Sequence, residues 1–226
     1  MLKVSKRMKS ASLVVGEKTP MDLGAAVDLI AKFPKVKFDE TVELHFHLHI
    51  DPKKNEESVR GTVVLPHGLG KAVRIAVVCK GEVEKKARDA GADVVGGEEL
   101  IAKVLAGFMD FDVVVATPDM MRDLSKLGKL LGPRGLMPTP KAGTVTLDVE
   151  KAIKELKAGK IEFKSDKQAG IHVGIGKVSF SKDKLLDNAK TIMEAINTAK
   201  PNSVKGVFIR SLSLSTSMGP GLRILV

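Results

Sequence analysis

Val73-Arg74-Ile75-Ala76-Val77-Val78-Cys79 decides how the middle of this chain folds. It is a nearly continuous apolar run. Side chains of a strand alternate sides, so a strand apolar at successive positions is buried on both faces. Such a strand needs helical cover above and below, and the following sequence supplies it. Glu82 to Ala90 reads as a helix, Ala92-Asp93-Val94-Val95 as a short strand and Glu98 to Leu105 as a second helix. Asp112-Val113-Val114-Val115-Ala116 is a third strand, and Pro118-Asp119 opens a helix toward Leu131. Thr144-Val145-Thr146 and a helix from Val149 to Lys157 close the series. Strands alternating with helices predict a parallel sheet covered on both sides, a Rossmann-like three-layer α/β domain.

The flanks follow another pattern. Pro20 to Phe33 is helix-like, with Leu23, Val27, Ile30 and Phe33 on one side and Thr19 as the expected N-cap. From Thr41 to Ile50 the chain alternates: Val42, Leu44, Phe46, Leu48 and Ile50 face one way, and Thr41, Glu43, His45, His47 and His49 the other. That is a half-buried strand. Ile161-Glu162-Phe163 and Ile171-His172-Val173-Gly174-Ile175 are two more; Ser181 to Ala199 is an amphipathic helix, and Gly206 to Leu214 a further strand. Neither flank is a complete domain by itself. The expected architecture is a discontinuous α+β two-layer sandwich, residues 1–66 with 160–226, carrying the α/β domain, 67–159, as an insertion. Gly68 and Gly70 at the entry and Gly159 at the exit are the expected hinge positions.

The 226 residues carry a formal net charge of +10, which points to a polyanionic partner. Residues 67–159 hold 15 Lys and Arg against 13 Asp and Glu, so most of the excess lies on the flanks. No apolar run approaches the roughly 20 residues that span a bilayer, and the basic start Met1 to Lys9 lacks the apolar core of a secretory signal. A basic cytosolic protein with no membrane role is expected. The single cysteine, Cys79, lies in the apolar run and is expected to be buried and inert. With 8 Phe and neither Trp nor Tyr, the chain has few rings on which to stack bases. An RNA reader of this composition would use folded shape, phosphates and 2′-hydroxyls.

Two loops are unusually prescribed. Leu127-Gly128-Lys129-Leu130-Leu131-Gly132-Pro133-Arg134-Gly135-Leu136-Met137-Pro138-Thr139-Pro140-Lys141-Ala142-Gly143-Thr144 holds its path through Gly and Pro, and every charge in it is positive. It reads either as a fixed turn over the sheet end or as a set of phosphate contacts by Lys129, Arg134 and Lys141. Ser215-Thr216-Ser217-Met218-Gly219-Pro220-Gly221 offers three hydroxyls, a flexible apolar probe in Met218 and a close backbone approach at Gly219. Phe38, just before the alternating strand, reads equally as an exposed ring or as core. His45, His47 and His49 in a straight line cannot close a tetrahedral zinc site without other ligands and read as an exposed polar face. No metal is expected.

In these two loops, and in their order and spacing, the chain resembles one family: protein one of the large ribosomal subunit, which forms the mobile stalk near the tRNA exit site. The resemblance covers essentially the whole sequence. It implies an RNA surface containing Lys37, Phe38, Thr41, Glu43, Lys164, Lys167, His172, Ser211, Ser215, Thr216, Ser217, Met218 and Gly219, with Lys129, Arg134 and Lys141 in a secondary contact. It implies large-subunit rRNA, the chain's own operon mRNA and exit-site tRNA as partners, in the cytoplasm on the ribosome, with a monomer when free. Ser217 stands where members often carry Thr, and the three-histidine face is a local departure. The rival reading is a nucleotide-dependent enzyme built on the Rossmann-like domain. Cys79-Lys80-Gly81-Glu82 lacks the glycine-rich phosphate turn, and Gly68-Leu69-Gly70-Lys71 precedes the strand rather than following it. No cofactor, small-molecule substrate or catalytic residue is therefore expected, and the remaining alternative is a general polyanion binder.

Overall fold

The computed structural model describes residues 5–225 apart from 17–18, 53 and 55–56. The basic start at Met1 to Val4, used above against a secretory signal, lies outside the described residues. Helices are α1 (Lys6–Val15), α2 (Leu23–Ile30), α3 (Glu82–Asp89), α4 (Glu98–Leu105), α5 (Met121–Leu124), α6 (Gly128–Leu131), α7 (Val149–Lys157) and α8 (Lys182–Thr198). Strands are β1 (Thr41–Leu48), β2 (Arg60–Val64), β3 (Ile75–Val78), β4 (Val94–Gly96), β5 (Val113–Ala116), β6 (Lys160–Lys164), β7 (Gly170–Lys177), β8 (Ile209–Thr216) and β9 (Leu222–Ile224). The chain separates into two compact units, Met1–Gly70 with Ile161–Val226, and Lys71–Lys160.

In the first unit an antiparallel sheet runs in the order β7-β1-β8-β9, beside a two-stranded sheet of β2 and β6. The alternation in β1 sends Val42, Leu44, Phe46 and Leu48 into the core, where they meet Ile171, Val173 and Ile175 of β7 and Leu212 and Leu214 of β8. α8 covers this side with Leu185, Ala189, Ile192 and Ile196, and α2 with Ala26, Val27 and Ile30. The sheet's other face carries no helix cover from α2 or α8 and is polar. Inside the core the Asn188 side chain is fully buried; it accepts from the His67 N–H at 3.2 Å and donates to the carbonyls of Gly68 at 3.0 Å and Ile175 at 2.7 Å. The amide thereby pins the segment ending at Gly70, and all its bonding capacity used is internal. Gly70 has φ of 70°, and a Cβ there would stand 2.7 Å from the Phe180 ring, so only glycine fits. Of the other two glycines expected at a hinge, Gly68 has φ of 61° and Gly159, just after α7, φ of 102°.

The second unit is a three-stranded parallel sheet, order β4-β3-β5. Alternate residues of β3 and its extension feed two separate cores. Ile75, Val77 and Cys79 pack with Ala87, Val149, Ile153 and Leu156 under α3 and α7. Ala76 and Val78 pack with Leu100, Ile101, Val104, Leu124, Leu127 and Leu131 under α4, α5 and α6. Helices on both faces of a parallel sheet make this a three-layer α/β arrangement, and the whole chain combines it with the α+β unit.

Several local expectations are corrected. Helix α2 starts at Leu23 with Asp22 as its cap, donating partner Gly24 N–H at 2.8 Å, and not at Pro20 behind Thr19. Met21 is drawn into the sheet instead, bridging to Ile224, with its N–H on the Arg223 carbonyl at 3.1 Å. The helix expected from Pro118 to Leu131 keeps its apolar spacing through Met120, Leu124, Leu127 and Leu131, but alternates between 3-10 and α turns. There Ser125 Oγ donates to the Arg122 carbonyl at 2.6 Å, competing with the backbone ladder. Thr144 to Thr146 contributes one parallel bridge, Ala116 to Val145, not a strand. Helix α1 and strands β2 and β9 were not expected at all.

Cys79 is fully buried, and burial, reinforced by Glu84, pushes its thiol up to about 11. The thiolate is the reactive form. At pH 8 the native protein should therefore react with a chromogenic disulfide reagent only at the rate of unfolding of this unit, while denaturant should expose one titratable thiol at once.

Candidate nucleic-acid interface

Alternation along β1 leaves Thr41, Glu43, His45 and His47 on the open face of the sheet. Pairing places residues of the neighbouring strands beside them. Glu43 lies between Gly174 and Ser215, His45 between His172 and Ser213, and His47 between Gly170 and Ser211. Arg223 of β9 stands next to Ser213. The face is thus a band of hydroxyls, imidazoles and one carboxylate, running about 24 Å along β1 at roughly 3.4 Å per residue. Ser213 and Arg223 were not singled out from sequence, although Ser211-Leu212-Ser213-Leu214-Ser215 shows the period of two that puts Ser213 there.

One end of the band is a built turn. Thr216 to Gly219 closes with the Gly219 N–H on the Thr216 carbonyl at 3.1 Å. Glu40, only 6% exposed, directs Oε1 into it and accepts from the Met218 N–H at 2.9 Å and the Thr216 hydroxyl at 3.3 Å. From the other side Arg7 of α1 donates to the Met218 carbonyl at 2.6 Å. Met218 is therefore held by its backbone on both sides while its side chain stays 49% exposed. A Cβ on Gly219 would overlap Thr216 Oγ1 and press on the Phe33 ring. Phe38, which the sequence left open between surface and core, is 55% exposed beside a groove of about 370 Å³ lined in part by Phe33, Val36 and Val178. Lys37 is exposed next to it. Thr41 accepts from Lys177 Nζ on its hydroxyl at 3.0 Å, which brings another cation to this end.

The expectation of three hydroxyls presented together is corrected here. Thr216 is 4% exposed, faces the core like Leu212 and Leu214, and spends its hydroxyl on Glu40. Ser217 is exposed but braces the backbone of Thr41, accepting from its N–H at 3.1 Å and donating to its carbonyl at 3.4 Å. Ser215 is half-buried and lies 2.8 Å from His45 Nε2. Each exposed hydroxyl keeps lone-pair capacity for a ligand. Glu40 and Arg7, which shape the turn, were missed: a charge beside a strand reads as a solvated surface group until its distant partner is known.

The histidines do not behave as three equivalents. His45 Nδ1 lies 2.9 Å from His172 Nδ1, across the β1–β7 pair, and His172 Nε2 lies 3.6 Å from Asp166 Oδ2. Burial lowers the His45 imidazole below its ordinary value, His172 adds to this, and Glu43 opposes it. His47 and His49 are exposed. Among the described residues no group of three or more His, Cys, Asp or Glu side chains converges as a metal site. At the far end of the band Asp166 organises the turn into β7, accepting from the N–H groups of Gln168 at 2.8 Å and Gly170 at 2.7 Å. The Gly170 bond above all holds its carboxyl below the usual range. Lys164 and Lys167 are exposed around this turn, at the opposite end of β1 from Met218.

In the α/β unit Lys129, Arg134 and Lys141 are exposed, while Leu136 and Met137 of the same loop pack on its core. The loop is closed by Thr144 Oγ1, which accepts from the Thr139 N–H at 2.8 Å. Glu82 and Glu84 fill the first turn of α3, and Glu98 and Glu99 that of α4, following β3 and β4. Carboxylates at these helix starts occupy the favourable end of the dipole and repel a phosphate there. No described helix is long and apolar enough to cross a membrane.

Residues 30–220 match the ribosomal protein L1p/L10e family. A protein of Protochlamydia amoebophila named large ribosomal subunit protein uL1 is 54% identical over 220 residues, covering 97% of this chain and 93% of its own length. One of the same name from Solidesulfovibrio magneticus is 49% identical over 224 residues, covering 99% and 95%.

The crowding at Gly219 sets a measurable cost. Gly219→Ala forces Thr216, the Glu40 bond or Phe33 to move, and should destabilise the α+β unit by about 1–3 kcal/mol, as overpacking of a tight site does. Chemical denaturation followed by circular dichroism reads it; a variant as stable as the parent would mean the turn yields freely.

Proposed function

Since the chain belongs to the ribosomal protein L1p/L10e family, we propose that it is a structural constituent of the large ribosomal subunit, not an enzyme, and holds large-subunit rRNA on the open sheet face. The single observation that carries the RNA reading is the band from Lys37, Phe38 and Met218 past Glu43, His45, His172 and Ser211 to Lys164 and Lys167. Hydroxyls, imidazoles and a carboxylate suit 2′-OH groups and base edges, lysines suit phosphates, and two exposed apolar side chains suit sugar or base faces. With few rings, such a surface recognises a pre-folded RNA and not an unstacked strand.

The partner in this reading is the stalk region of large-subunit rRNA. An mRNA segment of the same shape would compete for the same face, which gives repression of the chain's own operon. Lys129, Arg134 and Lys141 supply a secondary RNA contact from the α/β unit, and movement of the stalk accompanies release of deacylated tRNA from the exit site. Gly68, Gly70 and Gly159 serve as the hinge. The free protein is a monomer, and its place is the ribosome in the cytoplasm.

A chemical footprint on deproteinised large-subunit rRNA at about physiological salt tests partner and site together. Protection confined to one structured region supports the reading; equal affinity for tRNA, duplex DNA and the stalk would reduce the chain to a general polyanion binder. Met218→Asp should cost on the order of 2–4 kcal/mol in binding, because it sets an unpaired carboxylate against phosphates. Lys37→Ala should lower the salt dependence by about one counterion and leave selectivity nearly intact. Filter binding over a salt series separates the two, and parent-like affinity in Met218→Asp would remove that turn from the interface.

A further inference from the structure

The His45–His172 pair has a property that a row of exposed histidines would lack. Two ring nitrogens 2.9 Å apart need one proton between them, so one Nδ1 donates and the other is bare. Asp166 Oδ2, on the far side of His172, favours a proton on His172 Nε2. In the neutral pair this leaves His172 Nδ1 bare and makes His45 Nδ1–H the donor. His45 Nε2 is then also bare, and the Ser215 hydroxyl at 2.8 Å donates to it. The Ser215 and His45 donors thus both point along the row Ser215–His45–His172, with Asp166 Oδ2 3.6 Å beyond His172 Nε2.

We propose that this pair takes up one proton when RNA occupies the open face, and that the proton turns the Ser215 hydroxyl outward as a donor to the RNA. The inference rests on the reading of the face as an RNA surface. The proton comes from solvent and adds to His45 Nε2. That nitrogen becomes a donor to Ser215 Oγ, so the Ser215 hydrogen must rotate away from the ring, toward the open face. The Nδ1–H···Nδ1 bond survives, and the positive charge is shared across it toward Asp166. A second proton would set two donors against each other on the Nδ1 line, so the pair accepts one only.

The charged and titratable groups around the pair decide its resting state. Glu43 and His47 flank His45 on β1, Asp166 and Lys167 lie in the turn before β7, and Arg223 stands on β9 beyond Ser213, while β8 brings serines. Burial, and after it the repulsion of the His172 ring, hold the His45 imidazole below its ordinary value in the free protein, against Glu43. Phosphates laid over the face add negative charge without adding bulk beneath the ring, and so favour the cation.

Calorimetric titration of the full chain with a transcript of the stalk region of large-subunit rRNA, from pH 6 to pH 8 in buffers of different ionisation heat, tests this. The expected result is net uptake approaching one proton, with affinity falling by up to about tenfold per pH unit as pH rises through the transition. His45→Gln should abolish the uptake and flatten the profile. Asp166→Asn should move the transition to lower pH; its Oδ1 still accepts from Gln168 and Gly170, so the turn is kept. Binding by the unmodified chain with no pH dependence and no buffer-dependent heat overturns the linkage alone, as does a parent-like profile in His45→Gln. Absence of binding at every pH overturns the RNA reading and the linkage with it.

Discussion

The pairing of β1 with β7 on one edge and β8 on the other is the constraint on which the rest depends. A strand from the first fifth of the chain is the centre of a sheet whose other members come after residue 169. Its apolar side, Val42, Leu44, Phe46 and Leu48, cannot be buried until both neighbours and α8 are present. The intervening α/β unit needs nothing from this sheet, because β3 buries its two faces in two cores of its own. A discontinuous unit and a continuous one follow from that difference in where each strand finds its cover.

The same pairing produces the candidate interface. Period-two alternation converts one apolar face into one polar face without any further instruction, and register then decides which polar groups become neighbours. At the end of the band, the buried Glu40 and the half-buried Arg7 fix the Met218 backbone from two sides. A buried carboxylate is costly unless hydrogen-bonded, and here the turn supplies the donors. The rigidity of the tip is thus tied to the stability of the unit, and an exposed apolar side chain is presented without the ordering cost of a loose loop.

Much of this was legible in the sequence, for reasons that can be stated residue by residue. Val73 to Cys79 announced burial on both faces, and Thr41 to Ile50 announced burial on one. Alternation made Ser213 readable beside Ser211 and Ser215; the expected strand stopped at Leu214, whereas β8 runs on to Thr216 and carries it to the core side with Leu212 and Leu214. What register determines was not readable. His45 meets His172 at a separation of 127 residues, and Glu40 meets Met218 at 178, distances over which no local pattern speaks. The two-domain boundary lay in Gly-containing segments, but the buried amide of Asn188 that grips one of them could not be foreseen from its place in an amphipathic helix.

Because the sheet gains β8 and β9 only with residues 209–224, synthesis has a built-in order. The α/β unit is complete in sequence by Lys160 and can fold while the rest of the chain is still being made. The strand that must wait, β1, exposes a row of apolar side chains for that whole interval, and its long sequence separation makes its closure the slow step. A chain that ends between residues 160 and 209 therefore holds the full sequence of the α/β unit but lacks β8 and the serines that β8 places on the polar face.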